Sequence, residues 1–136
     1  MALNLVKLCV GVDRVEQLTK WGREERGRGG APIVHTRQTP KRAAEILDGG
    51  SLYWVIKGVI LCRQPIVGIT TIEEAAHNRC EIELDVSVIH TCPAPRRAFQ
   101  GWRYFEGREV PADLSSADAE GLPVELAREL RTLGAW

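Results

Sequence analysis

Two short strings concentrate the chain's capacity for π-stacking, and both carry cations. Gly49–Gly58 holds Tyr53, Trp54 and Lys57; Arg97–Tyr104 holds Arg97, Phe99, Trp102, Arg103 and Tyr104, with Arg96 just before it. Only eight aromatics occur in the whole chain, so five of them fall in these two segments. An aromatic face stacks on a base while a neighbouring cation meets a phosphate, which is the chemistry of nucleotide and single-strand recognition. Trp102 and Trp54 are the candidate stacking residues. Arg42, Arg96, Arg97 and Arg103 are the candidate phosphate ligands, because a planar guanidinium meets phosphate oxygens two at a time. Lys57 and Gln100 would add polar contacts at the edge of the site.

Each candidate also has a plainer role. Tyr53 and Trp54 lie in an apolar run, which favours core packing with the polar tip satisfied. Trp102 is more open, since it follows Gly101 and stands between Gln100 and Arg103. Arg96 and Arg97 would pair with an acidic strand face at Glu81, Glu83 and Asp85, and Lys57 would snorkel to solvent. A zinc reading rests on His77-x-x-Cys80 and His90-x-Cys92, but Cys80 has the inward parity of a clean strand, where a thiol packs as a small hydrophobe. No cofactor or resident metal is expected. Nothing places His35, His90, Cys92 and Asp85 together as a nucleophilic set, and Ser51 is not in a Gly-x-Ser-x-Gly elbow. Arg26–Gly30 lacks the Gly-Lys-Ser/Thr ending of a phosphate loop.

Eighteen basic residues balance eighteen acidic ones, so net charge neither requires nor excludes a polyanion. The charges are segregated, however. Lys20–Arg42 carries seven cations against two acids, and Glu73–Asp85 carries five acids against Arg79. Either a basic face or internal ion pairs between segments would follow. Leu3–Val10 is too short and too polar for a signal peptide or a membrane span, so the expectation is a cytosolic protein without membrane contact. Four cysteines without paired spacing fit reduced thiols.

The elements that must position these residues begin with a largely buried strand at Leu3–Val10. Asp13 then opens a helix as N-cap, with Glu16 as capping-box partner and Val15, Leu18 and Trp21 as the apolar stripe. Ile33–Arg37 is a short strand. Thr39-Pro40 starts a second helix that buries Ala43, Ile46 and Leu47 and ends at Gly49. Leu52–Cys62 reads as one strand bent at Gly58, turning at Gln64-Pro65 and returning along Ile66–Ile72. Arg79–Asp85 alternates cleanly, and Val86–Cys92 forms another short strand before the stiff Pro93-Ala94-Pro95. A single α+β domain over residues 1–114 and a helical tail at 115–136 docking through Leu122, Leu126 and Leu130 complete the reading.

The two aromatic strings, together with Thr39–Leu47 (TPKRAAEIL) and Ala2–Gly11 (ALNLVKLCVG), resemble an alphaproteobacterial family, the domain of unknown function 1489. That resemblance spans Ala2 to about Leu114 and implies no activity. The layout of a capped helix ending in Ile46-Leu47-Asp48-Gly49-Gly50 and followed by strands is similar to PUA-like domains, including their ASCH and EVE relatives. It implies a small curved or partly closed mixed β-barrel, with two helices in the N-terminal half and one at the C-terminus. Such barrels often bind RNA or modified nucleotides. The expected function is RNA or nucleotide binding in an aromatic–basic cleft. A small enzyme acting on an anionic metabolite and a protein-interaction module are the alternatives.

Overall fold

The computed structural model describes residues 3–74, 78–97 and 99–114. Seven strands and two helices alternate and then give way to sheet: β1 (Asn4–Leu8), α1 (Val15–Gly27), β2 (Ile33–Thr36), α2 (Ala43–Leu47), β3 (Ser51–Ile56), β4 (Val59–Glu73), β5 (Asn78–Leu84), β6 (Ile89–Pro95) and β7 (Trp102–Phe105). The strands form one mixed sheet in the order β2-β5-β4-β3-β1-β7, with β6 added alongside β4. Only β1 and β3 run parallel. The α+β class is as the sequence predicts, but among the described residues the ladder is open: β2 pairs only with β5 and β7 only with β1, so the outer edges of β2 and β7 have no strand partner.

The core explains the longest apolar run. All six residues of β3 are buried because the strand lies between β1 and β4 and has packing on both faces. Leu52, Trp54 and Ile56 join Leu5, Ile46, Ile82 and the α1 residues Val15 and Leu18 on one side. Tyr53 and Val55 join Val6, Ile60 and Phe105 on the other, where the Tyr53 and Phe105 rings meet edge to face at 5.3 Å. A strand covered on both faces has no polar positions to alternate, hence the unbroken apolar string. Trp54 satisfies its indole N–H by donating to Gln64 Oε1 at 2.8 Å, and Gln64 in turn donates to the Asp85 carbonyl at 3.0 Å.

Several boundaries differ from the sequence reading. The chain reverses at Lys57-Gly58, not at Gln64-Pro65: both residues have positive φ (49° and 83°), and Ile56 pairs directly with Val59. A type I′ hairpin loop has left-handed φ at both positions, and Gly58 relieves only one of them. Pro65 sits inside β4, where its carbonyl accepts from the Asp85 N–H. Bends occur instead at irregular pairing around Leu61 and Val67. Helix α1 begins after Arg14, and Gln17 rather than Glu16 reaches back, its Oε1 accepting from the Asp13 and Arg14 N–H groups. Thr39 bonds the Thr71 hydroxyl instead of capping α2, which is a single turn that buries Ile46 and leaves Leu47 exposed. Pro93 and Pro95 belong to β6, whose edge away from β4 is met only near Thr91, by Ala112–Leu114, among the described residues, so the prolines' missing N–H donors are tolerated there. The expected helix at 115–136 lies outside the described residues.

Two tight points hold the layers. An added Cβ at Gly50 would overlap the carbonyl oxygens of Leu3 and Ile46, so Gly50→Ala is expected to cost about 1–3 kcal/mol or more, read as a lower denaturation midpoint. Arg63 grips Asp113 through two hydrogen bonds of 2.8 Å and reaches Ser51 Oγ at 2.7 Å. The Arg63 hydrogen bond holds the Asp113 carboxyl below its usual range. A lowered folded value contributes stability that is complete above about pH 4 and lost as pH falls through that lowered value. The thermal stability difference between wild type and Asp113→Asn should therefore be largest near neutrality and shrink below about pH 4.

Candidate functional site

The sheet curls until its two free edges face one another. Side chains, not a ladder, span the seam: Trp102 on β7 donates its indole N–H to the carbonyl of Gln38, just past β2, at 2.9 Å. One step along, the Tyr104 hydroxyl accepts the Arg42 N–H at 3.2 Å. The Trp102 and Tyr104 rings brace each other edge to face at 4.9 Å. Between the edges lies a cleft of about 730 Å³, to which β1 contributes Lys7, β2 and its exit His35, Arg37 and Gln38, β5 Arg79, and β7 with its approach Gln100, Trp102 and Arg103.

The electrostatics of this cleft are one-sided, because none of the described carboxylates lines it. Among the described residues, five cations elsewhere are held by carboxylates. Arg42 holds Glu45 at 2.7 Å, approaches Glu106 and lies over the Tyr104 ring. Lys57 pairs with Asp13 at 3.3 Å, and Lys20, Arg28 and Arg63 pair with Glu24, Glu25 and Asp113. By contrast Lys7, Arg37 and Arg103 have no carboxylate partner among the described residues. Arg103 is oriented by donating to the carbonyls of Gln100 and Trp102. Arg79 stands 3.1 Å from Glu74 and 3.8 Å from Glu81. The Glu74 contact is off the Nε–H axis, so that buried donor has no acceptor. His35 meets the same Glu81 at 3.4 Å. An anion entering here gains several cations without displacing an acid from most of them, and low local dielectric strengthens each contact.

The aromatic–basic residues separate accordingly. Trp102 and Gln100 come together at the cleft, whereas Arg103, at its edge, stands opposite Val6 on the other face of β7 with its guanidinium over Phe99 at 5.3 Å. Trp54 is a core residue, 5% exposed. Lys57 sits at the hairpin tip on Asp13, and Arg42 caps α2 in its own ion-pair cluster. Arg96 packs over Phe99 and Phe105 outside the cleft, and Arg97 is exposed beyond it. Neither Arg96 nor Arg97 pairs with the acidic face of β5 among the described residues. Of the zinc set, Cys80 is fully buried, His90 and Cys92 are exposed on β6, and His77 lies outside the described residues. Burial pushes the Cys9 and Cys62 thiols up to about 12, so both are neutral at physiological pH and neither is a ready nucleophile.

Residues 5–136 match a protein family described as Protein of unknown function (DUF1489). The chain belongs to that family. No curated protein and no solved structure matches it. In this DUF1489 chain the cleft is thus read from its own residues, and three of its cations (Lys7, Arg37 and Arg79) are absent from the aromatic–basic strings. Lys7 did leave a signal: it is the only charged residue in Leu3–Val10, on the same parity as the core residues Leu3 and Leu5. A cation on the core side of a buried strand must reach an opening. Arg37 and Arg79 carried no local signal, because only the curl of the sheet brings β2 and β5 to face β7.

The seam bond gives a direct test. Trp102→Phe keeps a ring but removes the N–H to Gln38, and should lower stability by about 0.5–1.5 kcal/mol. Amide exchange across Trp102–Phe105 should accelerate while β3 is unchanged.

Proposed function

We propose that this protein binds RNA, holding a phosphate between Lys7 and Arg37 and a base against the half-buried face of Trp102. The observation that carries this reading is the convergence of those two cations, free of carboxylate partners among the described residues, on a cleft that none of the described acids lines. Gln38 and Gln100 offer the placed polar groups that such sites combine with an aromatic wall. The cleft's size falls within the range of small-ligand sites, so one nucleotide unit is an apt occupant. In the same reading the curled sheet is a PUA-like barrel left open along one seam, and the protein acts in the cytosol. Among the described residues no helix is long and apolar enough to cross a membrane. Catalysis has less support, since the nearby Cys9 thiol is held neutral by burial.

Anisotropy of a short fluorescent single-stranded RNA at low and fourfold higher salt provides the test. Binding should weaken roughly tenfold or more over that range, because each phosphate contact releases counterions. Arg37→Ala with Lys7→Ala should weaken binding and flatten the salt slope by about one unit per lost contact. Lys20→Ala, whose partner is Glu24 on α1, should change neither. An absence of binding at low salt would overturn the proposal.

A further inference from the structure

A second hollow of about 260 Å³ adjoins the cleft, and Lys7 lines both. The pairing register explains the adjacency. Lys7 stands opposite Trp54 of β3 on one side and opposite Trp102 of β7 on the other. Partners in register project from the same face, so Trp54, Lys7 and Trp102 form one row across three strands. With strands about 4.8 Å apart, the two indoles flank Lys7 at a separation of roughly 10 Å. Trp102 walls the cleft, and Trp54 with Trp21 walls the hollow.

The hollow is chemically unlike the cleft. Besides the two indoles, Leu18, Cys9 and Val12 give it an apolar lining. Its polar contributor other than Lys7 is Gln17, whose Oε1 already accepts the Asp13 and Arg14 N–H groups. That engagement fixes the amide with its oxygen inward to the backbone and leaves the Nε2 donors without a partner among the described residues. At the rim, Val10 is 86% exposed, an apolar side chain with nothing over it. A flat ring with carbonyl acceptors matches such a lining: it covers Val10, lies against indole edges and accepts from Gln17.

We infer that the hollow takes a second base of the same strand, so that two consecutive bases splay to either side of Lys7 and their bridging phosphate rests on its ammonium. This rests on the RNA-binding reading of the cleft and adds to it a minimum ligand, a single-stranded dinucleotide. A duplex does not fit the arrangement, because the two bases must unstack from each other.

The test compares a uridine dinucleotide with the same molecule lacking the base destined for the hollow, each of the two possible abasic forms being measured by calorimetry on the full chain. A buried, stacked base contributes about 1–3 kcal/mol, so one abasic form should bind roughly tenfold or more weakly than the dinucleotide. Val12→Trp, which fills the hollow, should reduce the dinucleotide to the affinity of that abasic form and leave the abasic form's own affinity unchanged. Methyl NMR of the wild-type protein gives a readout that needs no variant: the dinucleotide should shift the Val10 and Val12 methyl resonances, and that abasic form should not. Two intact bases binding no better than one, or a gap that survives Val12→Trp with the Val10 and Val12 methyls unshifted, would overturn the second base while leaving the cleft intact. Failure of every ligand and of longer RNA to bind at low salt would remove the cleft reading itself.

Discussion

The double burial of β3 is the constraint on which the rest of this structure depends. A strand with neighbours on both edges and packing on both faces has no freedom of register, since a slip of one residue would exchange its two faces. Trp54 is locked further by its hydrogen bond to Gln64, which is itself tied to the Asp85 carbonyl at the approach to β6. Once β3 is fixed, the parallel β1 beside it is fixed, and with it the position of Lys7. The antiparallel β7 then has one register in which Trp102 meets Lys7. The row of two indoles around an ammonium follows from core packing alone.

The seam is the complementary feature. A sheet of this size with two free edges must pair, cover or charge them to avoid association. Here the curl brings β2 and β7 towards each other, yet they do not form a ladder. Two side-chain bonds, from Trp102 to Gln38 and from the Arg42 N–H to Tyr104, hold the edges at a distance. The space that full closure would have filled remains as a cleft, and the cations at its walls keep it wet and resist edge-to-edge pairing. The same residues therefore protect the edges and create the site.

Much was legible in the sequence. The alternation of Cys80, Ile82 and Leu84 against Arg79, Glu81 and Glu83 is as read, because a strand with one wet face writes its burial directly into its order. The α+β class and the buried character of β3 were likewise visible. The hairpin at Lys57-Gly58 was not. A lysine at a left-handed position carries none of the Asn-Gly signature that marks such turns, and Gln64-Pro65 offered a more conventional but false signal. The aromatic–basic strings mixed residues with four different fates: Trp54 in the core, Arg42 and Lys57 in local ion pairs, Arg96 and Arg103 over Phe99, and Trp102 at the cleft.

The chain's sequence by itself determined the elements, their inward faces and the presence of stacking and cationic groups near Trp102. These are local properties, set by side-chain period, β-branching and the burial of apolar surface. Only the tertiary structure decided which cations are free. Whether an arginine meets a glutamate four residues away or a phosphate from outside depends on which strands become neighbours. Arg37 and Arg79 lie far from Trp102 in the chain, and the curl of an open sheet brings them to its side. Long-range strand order carries no period that a sequence window can register, so the cleft exists only because β2 and β7 face each other.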